Sequence, residues 1–445
     1  MKSILDFIEK INREMGIVLP KKWQVLPKKE IAQRFLQGIN QYFFQTYKGI
    51  GVTDFHGEEV QYFSEFHKFW ESNNRIILNC TINQRKAEIA AKCLNEAFAK
   101  YGSNIFKVTM ETCGLLPKAI AQVRLFTANQ DFREPPENQF GKYLDDPGRF
   151  DETQIAEDPE DFLRFLGMTR LSQTDKRLDF ARNTARFLCE KRMSAFQIAE
   201  FCEFNALKIR EMLVNTPNIG YGLKKANMFV RDMVELRVWP DLLNFDGIDV
   251  ASDVNTMKLA LRTGILQTEI PLLSSFLDIF CHQYSYLDEM SAKAWRMVWE
   301  KWKNLNAKSA PSSPCLMDFL LYRIGREYCK DNLFQYKCMN GHLFYFFRAR
   351  VSKCRECKSS AIPVMHFLPC QVSADNLPRE EGALLLPDSN LLREFDGICI
   401  FENVCEPKNE VFKLLDPPKS ISIKGKTSWI SAYSDKDRGG GGMMS

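Results

Sequence analysis

A short stretch, residues 218–232 (NIGYGLKKANMFVRD), constrains this chain more than any other. Gly220 and Gly222 stand two apart, and Lys224, Lys225 and Ala226 follow at once. Upstream, Leu207, Ile209, Met212 and Leu213 recur at helical spacing over residues 206–214. Downstream, Ala226, Met228, Phe229, Met233 and Val234 do the same over residues 226–236. Two amphipathic helices joined by a short glycine turn fold as a helical hairpin. The glycines permit positive φ and leave no Cβ in the way, so a flat, bulky surface such as a phosphate backbone reaches the turn. The amides that open the second helix carry its positive dipole end, which suits an anion.

Residues 218–226 resemble the hairpin of the helix-hairpin-helix DNA glycosylase superfamily, which reads roughly L-P-G-hydrophobic-G-x-K-x-A. From Gly220 on the fit has no gap, and the family's lysine falls on Lys224. The family's aspartate stands in a V-D-hydrophobic-H segment. Ser252-Asp253-Val254-Asn255 looks similar, with Asn255 where histidine is usual. The spacing from Lys224 to Asp253 is longer than in most members and is similar to the archaeal 8-oxoguanine branch. The match is specific over residues 206–264. Leu171-Ser172-Gln173-Thr174 looks similar to a segment that often opens such cores, although a helix cap with a polar first turn explains it equally well.

The resemblance implies a mainly α fold with a glycosylase-like helical core, double-stranded DNA as partner, and membership of the bifunctional, lysine-containing branch. A base inside a duplex is unreachable, so the target nucleotide is rotated into a pocket. The hairpin grips phosphates without reading sequence. Gly220, Tyr221, Gly222, Lys225 and Asn255 are the expected DNA contacts. Asp253 is the expected carboxylate that stabilises positive charge developing on the sugar. Lys224 is the expected nucleophile, forming a Schiff base that permits lyase cleavage. Asp249 competes for the aspartate role but fits the motif less well, and Asp232 reads as a structural partner of Arg231 or of a loop amide. A lysine pair after a glycine turn is also a plain phosphate grip. A non-catalytic DNA-binding or RNA-binding protein therefore stays open as the alternative.

A second feature is independent of the hairpin. Cys338-Met-Asn-Gly-His342 is followed by Cys354-Arg-Glu-Cys357, with a strand-like aromatic run, residues 343–351, between them. Two short ligand turns on a β segment resemble a zinc ribbon, and four ligands close a tetrahedral, structural site. Cys329 and Cys370 are candidate replacements. An iron–sulfur cluster on Cys329, Cys338, Cys354 and Cys357 fits less well, because such clusters usually take four thiolates without a histidine turn. Arg348, Arg350, Lys353, Arg355 and Lys358, with Phe344, Tyr345 and Phe346, form either a DNA-facing surface or a merely structural knob. Most other cysteines of the 14, such as Cys93, Cys189 and Cys202, sit singly in apolar helical patterns. That usage fits a reducing compartment, cytoplasmic and nucleoid-associated or equivalent, better than a disulfide scaffold.

At 445 residues, two or three domains are expected. Residues 1–75 read as a helical region and 76–330 as the core, with Asn83 capping a helix that closes at Gly102. Residues 128–160, acidic and proline-containing, read as an insertion or linker. Residues 331–372 form the ribbon-like module, and 373–445 a tail with short strands, GICIF among them. A net charge of +4 neither requires nor excludes nucleic acid. Aromatic residues crowd between Tyr42 and Trp70 and read as core or as a stacking surface. No apolar run approaches a membrane span, the first helix lacks the pattern of a secretory signal, and no obligate protein partner is implied.

Overall fold

The computed structural model describes residues 2–15, 18–26, 31, 51–53, 59–61, 75, 79–106, 110–130, 136–168, 174–268, 285–329, 333–346, 353–354, 356–367 and 399–405. The protein is mainly helical. In chain order, α1 (Lys2–Met15) precedes an antiparallel pair, β1 (Gly51–Thr53) and β2 (Glu59–Gln61). Then come β3 (Thr81–Ile82), α2 (Gln84–Tyr101), α3 (Pro117–Ala128), α4 (Pro136–Asp145), α5 (Glu152–Glu157), α6 (Pro159–Phe165) and α7 (Thr174–Lys191). The hairpin region holds α8 (Ile198–Phe201), α9 (Ala206–Asn215), α10 (Leu223–Glu235) and α11 (Val254–Arg262). After β4 (Leu266–Gln267) follow α12 (Ser285–Leu305), α13 (Asp318–Glu327), β5 (Leu333–Cys338), β6 (Leu343–Phe346) and β7 (Ala361–Phe367).

Local chemistry sets the boundaries. Asn83 caps α2 by accepting from Lys86 N, and the helix stops at Gly102, where φ is +76°. Asn205 caps α9 through the backbone N–H groups of Leu207 and Lys208. Asp253 caps α11. These sites turn one-dimensional periodicity into helices with fixed starting points.

Two apolar clusters organise the helices. One is built from residues between Ile120 and Ile248, with Cys315 added; Phe126, Leu188, Ile209, Phe229 and Met233 lie at its heart. The other joins distant parts of the chain: Ile8 and Trp23, α2, the inner faces of α11 to α13, and Phe401. Of its tryptophans, Trp295 and Trp302 are completely buried. The chain crosses from the first cluster to the second between Ile248 and Val250. A third, small cluster of Tyr336, Cys338, Cys354 and Ala361 lies in the sheet β6-β5-β7, where β5 pairs antiparallel with both neighbours.

Several expectations need correction. Residues 136–165 are not a linker. They form α4, α5 and α6, and Phe140, Phe150, Ile155 and Phe162 are buried in the first cluster. The acidic residues and prolines that broke the periodicity are helix caps. Asp146, Asp151 and Asp158 each accept backbone N–H bonds, while Pro147 and Pro159 sit in first turns, where the missing N–H costs nothing. Residues 1–75 are not all helix, since β1 and β2 pair there. They are also not separate, since Ile8 and Trp23 join the second cluster. Most of residues 32–74, with all but a few residues of the run between Tyr42 and Trp70, Leu171 to Gln173, and most of the tail lie outside the described residues. Within the tail, the end of GICIF is a turn rather than a strand. Phe401 packs 5.9 Å from Trp295, and Lys86 Nζ donates to Val404 O at 2.7 Å. Among the described residues, no helix is long and apolar enough to cross a membrane.

Candidate functional site

The hairpin forms as its pattern requires, and its turn is held from behind. Asn129 at the end of α3 donates to Ile219 O at 2.9 Å, and Asn183 of α7 donates to Asn218 O at 3.2 Å. Gly220 adopts φ +78°, and a Cβ there would lie 2.7 Å from the Phe180 ring. Conformation and packing therefore both demand glycine. Gly222 has a different reason. A Cβ would meet nothing within 4 Å, and the residue opens α10 without any side-chain cap. The turn is therefore open at Gly222, where α10 begins.

Not every residue expected at this surface faces outward. Tyr221 is buried, donates its hydroxyl to Leu125 O at 2.8 Å and packs edge-on against Phe229. Burial pushes its hydroxyl above the usual phenol range. Tyr221 anchors the turn to α3, with its side chain turned inward instead of toward the expected DNA-facing surface. Lys225 also turns back: its Nζ donates to Asn129 O at 2.7 Å and lies over the Phe180 ring. Asn255 is buried, and its Nδ2 donates to Asp253 Oδ2 at 3.0 Å. Its amide is engaged with the aspartate.

Asp253 is both capping residue and site residue. Its Oδ1 accepts from the N–H groups of Asn255 (2.9 Å) and Thr256 (2.8 Å), while Thr256 Oγ1 accepts from Asp253 N. α13 crosses so closely that a Cβ on Gly325 would lie 2.3 Å from Asn255 O. The N-terminus of α11 is pinned in place as a result.

Lys224 lies in the first turn of α10, and Asp253 caps α11 at the boundary between the two large clusters. Both act electrostatically on the same two carboxyls, Asp288 in the first turn of α12 and Asp318 at the start of α13. Burial pushes the Asp288 carboxyl up to about 7, with Lys224 opposing and Asp253 adding to the rise. Burial likewise pushes Asp318 to about 7, against the pull of Arg231. Behind them, Arg231 bonds Asp318 and Asp232, and Asp232 also bonds Arg124 of α3. The expected structural pairing of Asp232 with Arg231 is present, and Asp249 is engaged with Arg296 instead of the site. Sequence reasoning missed Asp288 and Asp318. The available signal was an acid on the core-facing stripe of a tryptophan-rich helix, which needs a buried partner.

The cysteine–histidine group assembles at the end of β5. The ligand atoms of Cys338, His342, Cys354 and Cys357 all lie within 4.8 Å of one another, a set that can hold a metal ion. Gly341 closes the first turn at φ +85°, and Lys358 N donates to Cys354 O in the second. The Ser359 hydroxyl and N–H beside Cys357 hold its thiol down at about 6, so it is readily a thiolate. Cys329 is not part of the group. It is buried in the helical cluster near Arg262 and Lys258, and Cys370 lies outside the described residues. Phe344 is not a free stacking surface either, since it lies 5.6 Å from Tyr336 and nearly parallel to it. Arg348, Arg350 and Arg355, with the side chains of Tyr345 and Phe346, lie outside the described residues.

No protein-family model matches the chain, and no curated protein matches it.

Proposed function

We propose that this protein is a DNA glycosylase with lyase activity, which excises a damaged or modified base from duplex DNA using Lys224 as nucleophile and Asp253 as charge-stabilising carboxylate. One observation carries the reading. A lysine in the first turn of a hairpin helix and an aspartate fixed at a second helix start both act electrostatically on the same two carboxyls, Asp288 and Asp318. A plain phosphate grip has no use for acidic groups that act on its lysine, because they repel the ligand. An amine that must be positioned, and must lose a proton, does.

The expected grip is the uncapped start of α10 at Gly222, with Gly220 shaping the turn. The rival is a DNA- or RNA-binding protein without catalysis. It is favoured by the cap that Asp253 makes, which alone explains an aspartate there. Asp253→Asn separates the two, because asparagine keeps the capping oxygen and loses the charge, with the Asn255 amide free to turn and accept where it now donates. We expect base release from an 8-oxoguanine duplex, or from duplexes bearing other modified bases, to fall ~10²–10³-fold while DNA affinity is retained. Base release that survives unchanged in the Asp253→Asn variant would remove the aspartate from the reading.

For the sheet module, the proposal is a structural zinc held by Cys338, His342, Cys354 and Cys357, as in a zinc ribbon. Elemental analysis of the purified chain should give about one zinc per molecule, lost on Cys354→Ser. Chelation should expose the thiols to a thiol reagent yet leave the helical circular dichroism almost unchanged, because the sheet has its own apolar cluster. A chain that purifies without zinc and refuses it on titration would sink this assignment.

A further inference from the structure

The end of the first cluster opposite the hairpin turn holds a cavity. α3 reaches the turn through its last residues, where Asn129 holds Ile219; α7 reaches it through Asn183, and α10 starts there at Leu223. The other ends of these helices meet elsewhere. Lys118 in the first turn of α3, Ser194 after α7 and residues 238–241 after α10 line a cavity of about 510 Å³. At 1.5 Å per residue, the 13 residues of α10 set about 20 Å between the turn and the cavity.

The lining is apolar within and acidic outside. Phe196, Phe204 and Pro240 are exposed walls, with the buried Val238 and Trp239 behind them. Trp239 Nε1 already donates to Phe196 O at 3.0 Å, so the indole presents no unmet donor. Phe196, Phe201 and Phe204, at 39%, 55% and 49% exposure, are the only exposed phenylalanines among the described residues, and all three lie on this one segment. The backbone holds the rings out. Glu203 and Phe204 both take left-handed φ, +56° and +53°, which is uncommon for residues with a side chain. Phe204 N donates to Ala199 O at 2.6 Å and Leu243 N donates to Phe204 O at 2.7 Å, while Ser194 N and Oγ both donate to Gln197 Oε1 around Phe196. A frame fixed in this way lowers the ordering cost of binding. Glu200 and Asp241 are exposed in the lining, against a single lysine, Lys118. Neither acid has an ion pair or side-chain hydrogen bond among the described residues, whereas the neighbouring Glu203 is paired with Lys208 at 2.7 Å.

We propose that this cavity docks a short peptide segment of a partner protein, which inserts one aromatic or leucine side chain and places a lysine or arginine beside it. The volume lies within the about 300–1,000 Å³ of ordinary ligand pockets. Aromatic walls around a buried floor are where an inserted anchor gains most, because water is excluded on all sides. Two unpaired carboxylates favour a cation next to that anchor and repel a phosphate backbone, so nucleic acid is a poor occupant. Its distance from the hairpin leaves the turn accessible while the cavity is filled. The assignment stands apart from the glycosylase reading and uses none of its residues.

The test is selection of a displayed random-sequence peptide library on the immobilised full chain, with enriched peptides then measured singly by fluorescence anisotropy. The enriched set should share an aromatic or leucine residue with lysine or arginine next to it. Phe204→Asn should weaken these peptides by about 10-fold or more, because asparagine tolerates the left-handed backbone and only the ring is lost. Glu200→Lys combined with Asp241→Lys should weaken them by about 10-fold at low salt and less at high salt. Both acids are exposed, so this second variant keeps the test decisive where Phe204→Asn disturbs the fold. An unenriched library, a set with acidic flanks, or peptides that bind both variants as tightly as the parent overturns the proposal. So does competition by duplex DNA for the same peptides. A concentration-dependent dimer in sedimentation velocity, dissolved by Phe204→Asn, would assign the cavity to a second copy of the chain and overturn the partner peptide. None of these outcomes bears on Lys224 or Asp253.

Discussion

Lys224→Gln should abolish covalent trapping on abasic and 8-oxoguanine duplexes while leaving DNA binding within a few fold. Glutamine keeps most of the length and a donor at the second position of α10, but it has no basic nitrogen lone pair to attack a sugar carbon. Removing the nucleophile is an all-or-none loss for imine chemistry, whereas phosphate contacts from the α10 amides survive. Persistent trapping would move the nucleophile elsewhere. Lys225 is then a poorer candidate than its sequence position suggests, because its amine is already bonded to Asn129 O. The substitution also carries a stability signature of definite sign. Asp288 and Asp318 have folded-state values near 7, above the ordinary carboxyl value of 3.8. Stability from such groups is complete below the unfolded value and is lost as pH rises through the folded one. Lys224 restrains both rises, so its loss enlarges the penalty on the alkaline side. The Lys224→Gln variant should melt below its parent at pH 8 and converge on it at pH 5. Equal melting at pH 8 would mean that Lys224 does not offset the carboxyls.

Sequence and structure agree where the determinants are local. The hairpin needs only apolar spacing and two glycines, and both helices lie within a few residues of their expected bounds. The cysteine and histidine turns are equally local, and their four ligand atoms converge. Agreement fails where the meaning of a residue depends on distant partners. Asp146, Asp151 and Asp158 read as linker because a cap and a disordered acidic stretch have the same composition. Tyr221 and Lys225 read as DNA contacts from their place beside the glycines, yet α3 and the residue that ends it, far back in the chain, claim both. Asp288 and Asp318 have no motif at all. They join the site only because the chain folds α12 and α13 back onto the start of α11.

That folding back makes Asp232→Ala the most destabilising single change to expect. Asp232 is completely buried and carries two arginines at once: Arg124 from α3 on one oxygen, and Arg231, at 2.7 Å, on the other. Burial pulls the Arg231 guanidinium down, but Asp232 and Asp318 more than offset it, so the cation is kept inside. Without Asp232, among the described residues Arg124 has no carboxylate, and Arg231 has only Asp318. Stranding a buried charge in this way costs about 3–5 kcal/mol, which is a large part of the stability of an ordinary domain. Urea unfolding should show it as a lower midpoint. The companion variant Arg124→Met with Asp232→Leu should recover much of the loss, since it removes the stranded cation and leaves Arg231 with Asp318 as a simple pair. A cost below about 1 kcal/mol for Asp232→Ala would place the network in water, where ion pairs are weak. The same network ties Asp318, and through it the neighbourhood of Lys224 and Asp253, to the body of the first cluster. If the double variant regains stability but not trapping, the arginines serve to position the carboxyls of the site. If it regains both, the network holds the fold, and the proposed chemistry depends on Lys224 and Asp253.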